Sequence, residues 1–183
     1  MGFAKIIALD LGKFKTVCCV MDVPTRAHAF ETIEMSPADV HDLLVRHVTD
    51  VPADTLVAFE ACDCAGWVHD VATALGTSVI VVNANDERWR WRRVKRKTDR
   101  DDALKLARLA LLEQLPAVHV PSPGERQKRR LILHRRSIVS RRTQCRNAIR
   151  YDLQPTGAAA GTWREAVDQG GHRAAEATRP AFR

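Results

Sequence analysis

An α/β fold, a mixed sheet with helices on its faces, is what this 183-residue sequence predicts. Three observations carry that expectation. The N-terminal part holds three short β-rich segments separated by turn residues. Beyond residue 35, stretches with helical spacing alternate with short apolar stretches, the pattern of strands joined by crossover helices. No apolar run approaches the roughly 20 residues that span a membrane.

Residues 3–11, FAKIIALDL, read as a strand with Asp10 near its end, and Gly12 permits a tight turn after it. Residues 16–23, TVCCVMDV, are β-branched and form a hairpin partner. Residues 28–34, HAFETIE, alternate as a third strand. Ser36-Pro37 places an N-cap before a proline at the first helical position, and Val40, Leu43, Leu44, His47 and Val48 then share one helical face. Residues 55–61, TLVAFEA, make a short buried strand with Glu60 near its end. A helix over 66–75 closes on Gly76 as C-cap. Residues 78–83, SVIVVN, carry almost no polar side chain and are expected to be covered on both faces.

Residues 97–103, KTDRDDA, pack three carboxylates into four positions ahead of an apolar, helix-spaced run of Ala103, Leu106, Ala107, Ala110 and Leu111. Thr98 is expected to cap this helix, with Asp101 reaching back as in a capping box. Asp99 and Asp102, three apart, then share a face. Residues 116–123 read as a break. A long helix from Ser122 to about Leu153 follows, with Leu131, Ile138 and Cys145, and Ile132 and Val139, repeating at seven. Such a seam packs either on the domain or on a second copy of the chain. Three strands, then helix, strand, helix, strand and helix, is the order of the ribonuclease-H-like fold. The expected division is a domain over 1–115, a basic helical extension over 122–153, and a tail over 154–183 without sustained periodicity.

Charge is distributed unevenly. Residues 1–87 hold 5 Lys/Arg against 13 Asp/Glu, residues 88–150 hold 20 against 5, and the remainder balances. A basic segment of that density implies a phosphate-rich partner, most plausibly nucleic acid. Its densest part is Arg88, Arg90, Arg92, Arg93, Lys95, Arg96 and Lys97, interleaved with Trp89 and Trp91, a pattern suited to stacking on unpaired bases beside phosphate contacts. Arg135, Arg136, Arg141 and Arg142 extend the basic character along the long helix. Five cysteines form no CxxC pair, which suits a reducing compartment, and the N-terminus lacks a signal-peptide core, so a cytoplasmic protein is expected. Cys62 and Cys64 with His69 make only a partial zinc set.

In the ribonuclease-H-like order the first and fourth strands lie side by side, making neighbours of Asp10 and Glu60, with the last helix close by. Four carboxylates around one cavity repel unless cations neutralise them, and Mg²⁺ or Mn²⁺ suits such hard oxygen ligands. The catalytic and metal-binding set expected is therefore Asp10, Glu60, Asp99 and Asp102.

IALDLGKFKTVCCVMD around Asp10, TLVAFEACDCAGW around Glu60, and KTDRDDA with Asp99 and Asp102 resemble the D, E, D and D motifs of the DEDD-type insertion-sequence transposases, the IS110 family with a RuvC-like N-terminal domain. The stretch SVIVVNANDERWRWRRVKRKTDRDDALKLARL and the helix with Arg141-Arg142-Thr143 and Asn147 are similar to the family too. The resemblance covers roughly residues 4–153. It implies DNA transposition guided by a structured RNA of the element, with the acidic residues holding Mg²⁺. A separate C-terminal domain in the family supplies a serine nucleophile. This chain has about thirty residues after Leu153, so it is expected to be a truncated member, inactive alone, with a disordered or frame-altered tail. A homo-oligomer through the long helix is expected.

Three other classes stand beside this one. Asp10-Leu11-Gly12 before a strand also opens actin-like sugar kinases, which need a second, duplicated domain. A non-catalytic RNA- or DNA-binding remnant would use only the basic helices. A stand-alone RuvC- or ribonuclease-H-like nuclease is the third.

Overall fold

The computed structural model describes residues 2–83 and 98–156. The chain divides into two units, residues 1–123 and 124–183. The first is built on a five-stranded sheet: β1 (Lys5–Leu11), β2 (Lys15–Asp22), β3 (His28–Glu34), β4 (Thr55–Glu60) and β5 (Ser78–Val82). Their spatial order is β3-β2-β1-β4-β5. The first three strands form an antiparallel meander, with Asp10 opposite Val17 and Cys19 opposite Phe30. β4 and β5 run parallel to β1, which requires the crossover helices α1 (Pro37–His47) and α2 (Ala65–Ala74). With α3 (Asp99–Leu111) this is the mixed, ribonuclease-H-like arrangement expected from the order of elements.

Local chemistry explains the helix starts. Ser36 Oγ accepts the Asp39 N–H at 3.1 Å, and Pro37 enters the helix where its missing N–H is not needed. Gly76 takes φ +78° just beyond α2, a conformation that side-chain-bearing residues rarely adopt. At α3, Thr98 Oγ1 accepts the Asp101 N–H at 3.3 Å, and the Thr98 N–H donates to Asp101 Oδ2 at 3.0 Å. The expected capping box is present in both arms.

Strand alternation sorts the sheet into two faces. Ile7, Leu9, Val57 and Phe59 pack with Val40, Leu43 and Leu44 of α1 and with Ala65, Val68 and Ala72 of α2. Ile6, Ala8, Leu56, Ala58 and Val82 pack on the opposite side with Ala103, Leu106, Ala107 and Ala110 of α3. The alanines let α3 approach the sheet closely, and Leu106 is the one large side chain it buries completely.

Two expectations are adjusted. Residues 116–123 read as a plain break, yet Ala117 forms an antiparallel bridge with Val82, and the Val118 N–H donates to Val81 O at 2.8 Å. β5 is an outer strand, and this return segment satisfies part of its otherwise open edge. β5 was also expected to be covered on both faces, but Ser78, Val79 and Ile80 are only half-buried while Val81 and Val82 are buried.

In the second unit α4 spans Pro123–Leu153, 31 residues with none buried. It carries ten Lys/Arg against two Asp/Glu. Leu131, Ile132, Ile138 and Val139 of the expected seam are exposed. Gln154–Thr156 form a 3-10 turn, and the tail expected beyond lies outside the described residues.

Candidate functional site

Asp10 and Glu60 stand where the sheet's connections diverge. β1 is flanked on one side by the meander and on the other by β4, reached through α1. In open α/β sheets the carboxyl ends of the strands at such a point are where ligands bind. The parallel register pairs Leu9 with Phe59, which places Asp10 and Glu60 one step further along neighbouring strands. By alternation both belong to the face that carries Ile6, Ala8, Leu56 and Ala58, the face covered by α3. Both are half-buried.

The other two acids open α3. Asp99 is exposed, while Asp102, beside the buried Ala103, is half-buried. Asp101 is occupied by the cap, as the sequence indicated. Its hydrogen bonds from the Thr98 hydroxyl and N–H hold its carboxyl below the ordinary aspartate value. Asp63 is exposed.

Hard carboxylate oxygens are the donors a small divalent cation takes. In kind, the carboxylates of Asp10, Glu60, Asp99 and Asp102 are such donors, and Asp10 and Glu60 share the face under α3. Among the described residues, however, no group of three or more His, Cys, Asp and Glu side chains stands as a ready metal cage. That holds equally for the partial zinc set. Cys62 and Cys64 lie with their sulfurs 3.1 Å apart. Burial first, and the neighbouring Cys62 second, push the Cys64 thiol up to about 12.

The basic candidates divide in two. Arg88, Trp89, Arg90, Trp91, Arg92, Arg93, Lys95, Arg96 and Lys97 lie outside the described residues. Arg135, Arg136, Arg141 and Arg142 are all exposed on α4, as phosphate-contacting side chains must be. One aromatic escaped the reading of the sequence. Phe14, at the tip of the β1–β2 hairpin, is 75% exposed. The signal available was an aromatic ring set between Lys13 and Lys15 in a turn. Among the described residues no helix is long and apolar enough to cross a membrane.

Sheet order and the flanking helices define a mixed α/β domain of ribonuclease-H-like order, with acids at the ends of β1 and β4 and a capped, acidic start to α3. The model of a transposase family, the IS110-type DEDD transposases, matches residues 7–156. The chain belongs to that family, and its role is of the transposase type. Among curated proteins nothing matches it. Among solved structures it is similar to the large terminase nuclease from the thermophilic phage G20c, at 18% identity and a TM-score of 0.34, over 56% of this chain and 80% of that one.

Proposed function

We propose that this chain acts in DNA transposition by binding nucleic acid along its basic segment and a divalent cation, Mg²⁺ or Mn²⁺, at Asp10, Glu60, Asp99 and Asp102. The observation that carries this reading is the adjacency of Asp10 and Glu60 on one face of the sheet, at the carboxyl ends of parallel neighbours, in a chain of a DEDD transposase family. α3 supports it by laying its apolar stripe on that same face, with Asp102 directly preceding the first buried alanine.

When bound, the cation would neutralise carboxylates that otherwise repel and would polarise a scissile phosphodiester. The chain's own residues supply placement. The capping box fixes the start of α3, so Asp99 and Asp102 are presented from a rigid first turn rather than a loop. Residues 88–97 and the arginines of α4 neutralise the phosphate backbone of DNA and of a structured guide RNA. The exposed seam of α4 suits a homo-oligomer.

A second reading, nucleic-acid binding without metal chemistry, rests on the exposed arginines of α4 alone, Arg135, Arg136, Arg141 and Arg142. The test common to both is fluorescence anisotropy with a structured RNA and with duplex DNA across a salt series. Affinity should fall steeply with salt for both. Binding that is absent, or indifferent to salt, would remove the nucleic-acid role altogether.

A further inference from the structure

The hairpin between β1 and β2 is built to present an aromatic ring. The Gly12 N–H donates to Lys15 O at 3.0 Å, closing the turn, and a Cβ on Gly12 would come within 2.4 Å of that same oxygen. The Met35 N–H donates to Phe14 O at 2.9 Å, which ties the backbone of the tip to the start of α1. The ring itself is left outside at 75% exposure. Lys13 Nζ stands 5.1 Å from its centroid, a cation over the π-face. Lys15 follows directly and is exposed. A solitary exposed apolar side chain needs no explanation. Here, however, the backbone is anchored, the ring is presented, and cations stand on both sides of it in sequence.

The tip also lies at the carboxyl end of β1, the end that carries Asp10. Phe14 sits in the turn beyond the Leu11–Thr16 pair, which itself follows the Asp10–Val17 pair.

We infer that Phe14 is a stacking platform for an unpaired nucleobase of the strand held at the acidic face, with Lys13 and Lys15 contacting the flanking phosphates. The inference rests on the nucleic-acid reading above and adds a residue and a strand state to it. Every base has a π-face, so the contact tolerates sequence and discriminates unpaired from paired strands. A base within an intact duplex is already stacked on both sides and gives Phe14 nothing to cover.

The experiment compares the whole chain with Phe14→Ala and Phe14→Trp on three probes: a single-stranded DNA, an RNA of the same sequence, and the blunt DNA duplex. A 2-aminopurine placed along each single strand reports stacking through its quenching. Phe14→Ala should weaken binding to at least one single strand by about 5- to 100-fold and abolish quenching at one position. Duplex affinity should change less than about twofold. Phe14→Trp should restore both signals, and the arm that responds identifies the strand as DNA or RNA. Thermal melting checks that the exposed substitutions leave the fold intact. Equal binding and quenching by the wild type and Phe14→Ala, where the wild type binds with the expected salt dependence, would overturn the platform alone. A wild type that binds no probe would overturn the platform together with the nucleic-acid reading.

Discussion

Shortening Leu106 to alanine tests whether α3 is seated on the sheet as described. Leu106 is 1% exposed and packs among Ile6, Ala8, Leu56, Ala58 and Val82. The other buried residues of α3 are Ala103, Ala107 and Ala110. They already bring the helix close, so little slack remains for the site to collapse after truncation. Leu→Ala changes in cores cost about 2–5 kcal/mol, more where the cavity persists, and the tight alanine contacts place this one at about 3–4 kcal/mol. Against a typical stability of about 5–15 kcal/mol that is a large fraction. With a urea slope of about 2 kcal/mol per molar, the midpoint should fall by about 1.5–2 M at unchanged slope. Urea unfolding followed by circular dichroism and tryptophan fluorescence reads this directly. Arg108→Ala, at an exposed position of the same helix, serves as control and should stay within about 0.5 kcal/mol. A loss below about 1 kcal/mol for Leu106→Ala would refute the seating of α3.

Other expectations follow from single contacts. Glu31 on β3 takes hydrogen bonds from His47, Nε2 to Oε2 at 2.9 Å, and from Arg46 of α1. His47 first, then Arg46, hold its carboxyl below the ordinary value of 4.5. A depressed carboxylate contributes stability above its unfolded value and loses it as pH falls through the folded value. The stability gap between wild type and Glu31→Gln should therefore close progressively below about pH 4.5; a gap unchanged by acid would remove the pairing. Gly12→Ala meets the Lys15 carbonyl at 2.4 Å and should destabilise by about 1–3 kcal/mol in thermal melting, whereas a neutral result would mean the turn is not closed as described. Replacing Arg135, Arg136, Arg141 and Arg142 with alanine should reduce the log–log salt slope of duplex binding by up to about 3–4 units. An unchanged slope would assign those charges to solubility.

Much of this fold is written in local signals. Ser36-Pro37, Gly76 and the Thr98–Asp101 box each satisfy backbone groups within a few residues, so sequence alone locates the ends of α1, α2 and α3. The meander of β1 to β3 and the neighbouring of β1 and β4 follow from chain order, because crossovers leave few topologies. The bridge of Ala117 to Val82 was not legible. It depends on which strand lies at the edge, a property of the assembled sheet and not of residues 116–123. The partial exposure of Ser78 to Ile80 has the same origin. For the candidate site, the types and strand ends of Asp10 and Glu60 could be read in advance, whereas their shared face depends on the strand register. Phe14 could not be singled out, since an aromatic in a turn reads equally as core or surface until its exposure is known.

Metal titration tests the central claim most directly. Calorimetry with Mn²⁺ and Mg²⁺ compares the wild type with Asp10→Ala and Asp102→Ala, with each protein checked for intact folding by circular dichroism. Even outer-shell changes around a metal commonly cost 10- to 100-fold in affinity, so loss of a direct carboxylate should weaken binding by at least about tenfold in each variant. Equal affinity in all three proteins, or no binding by the wild type, would contradict the metal site and leave a nucleic-acid-binding domain without one.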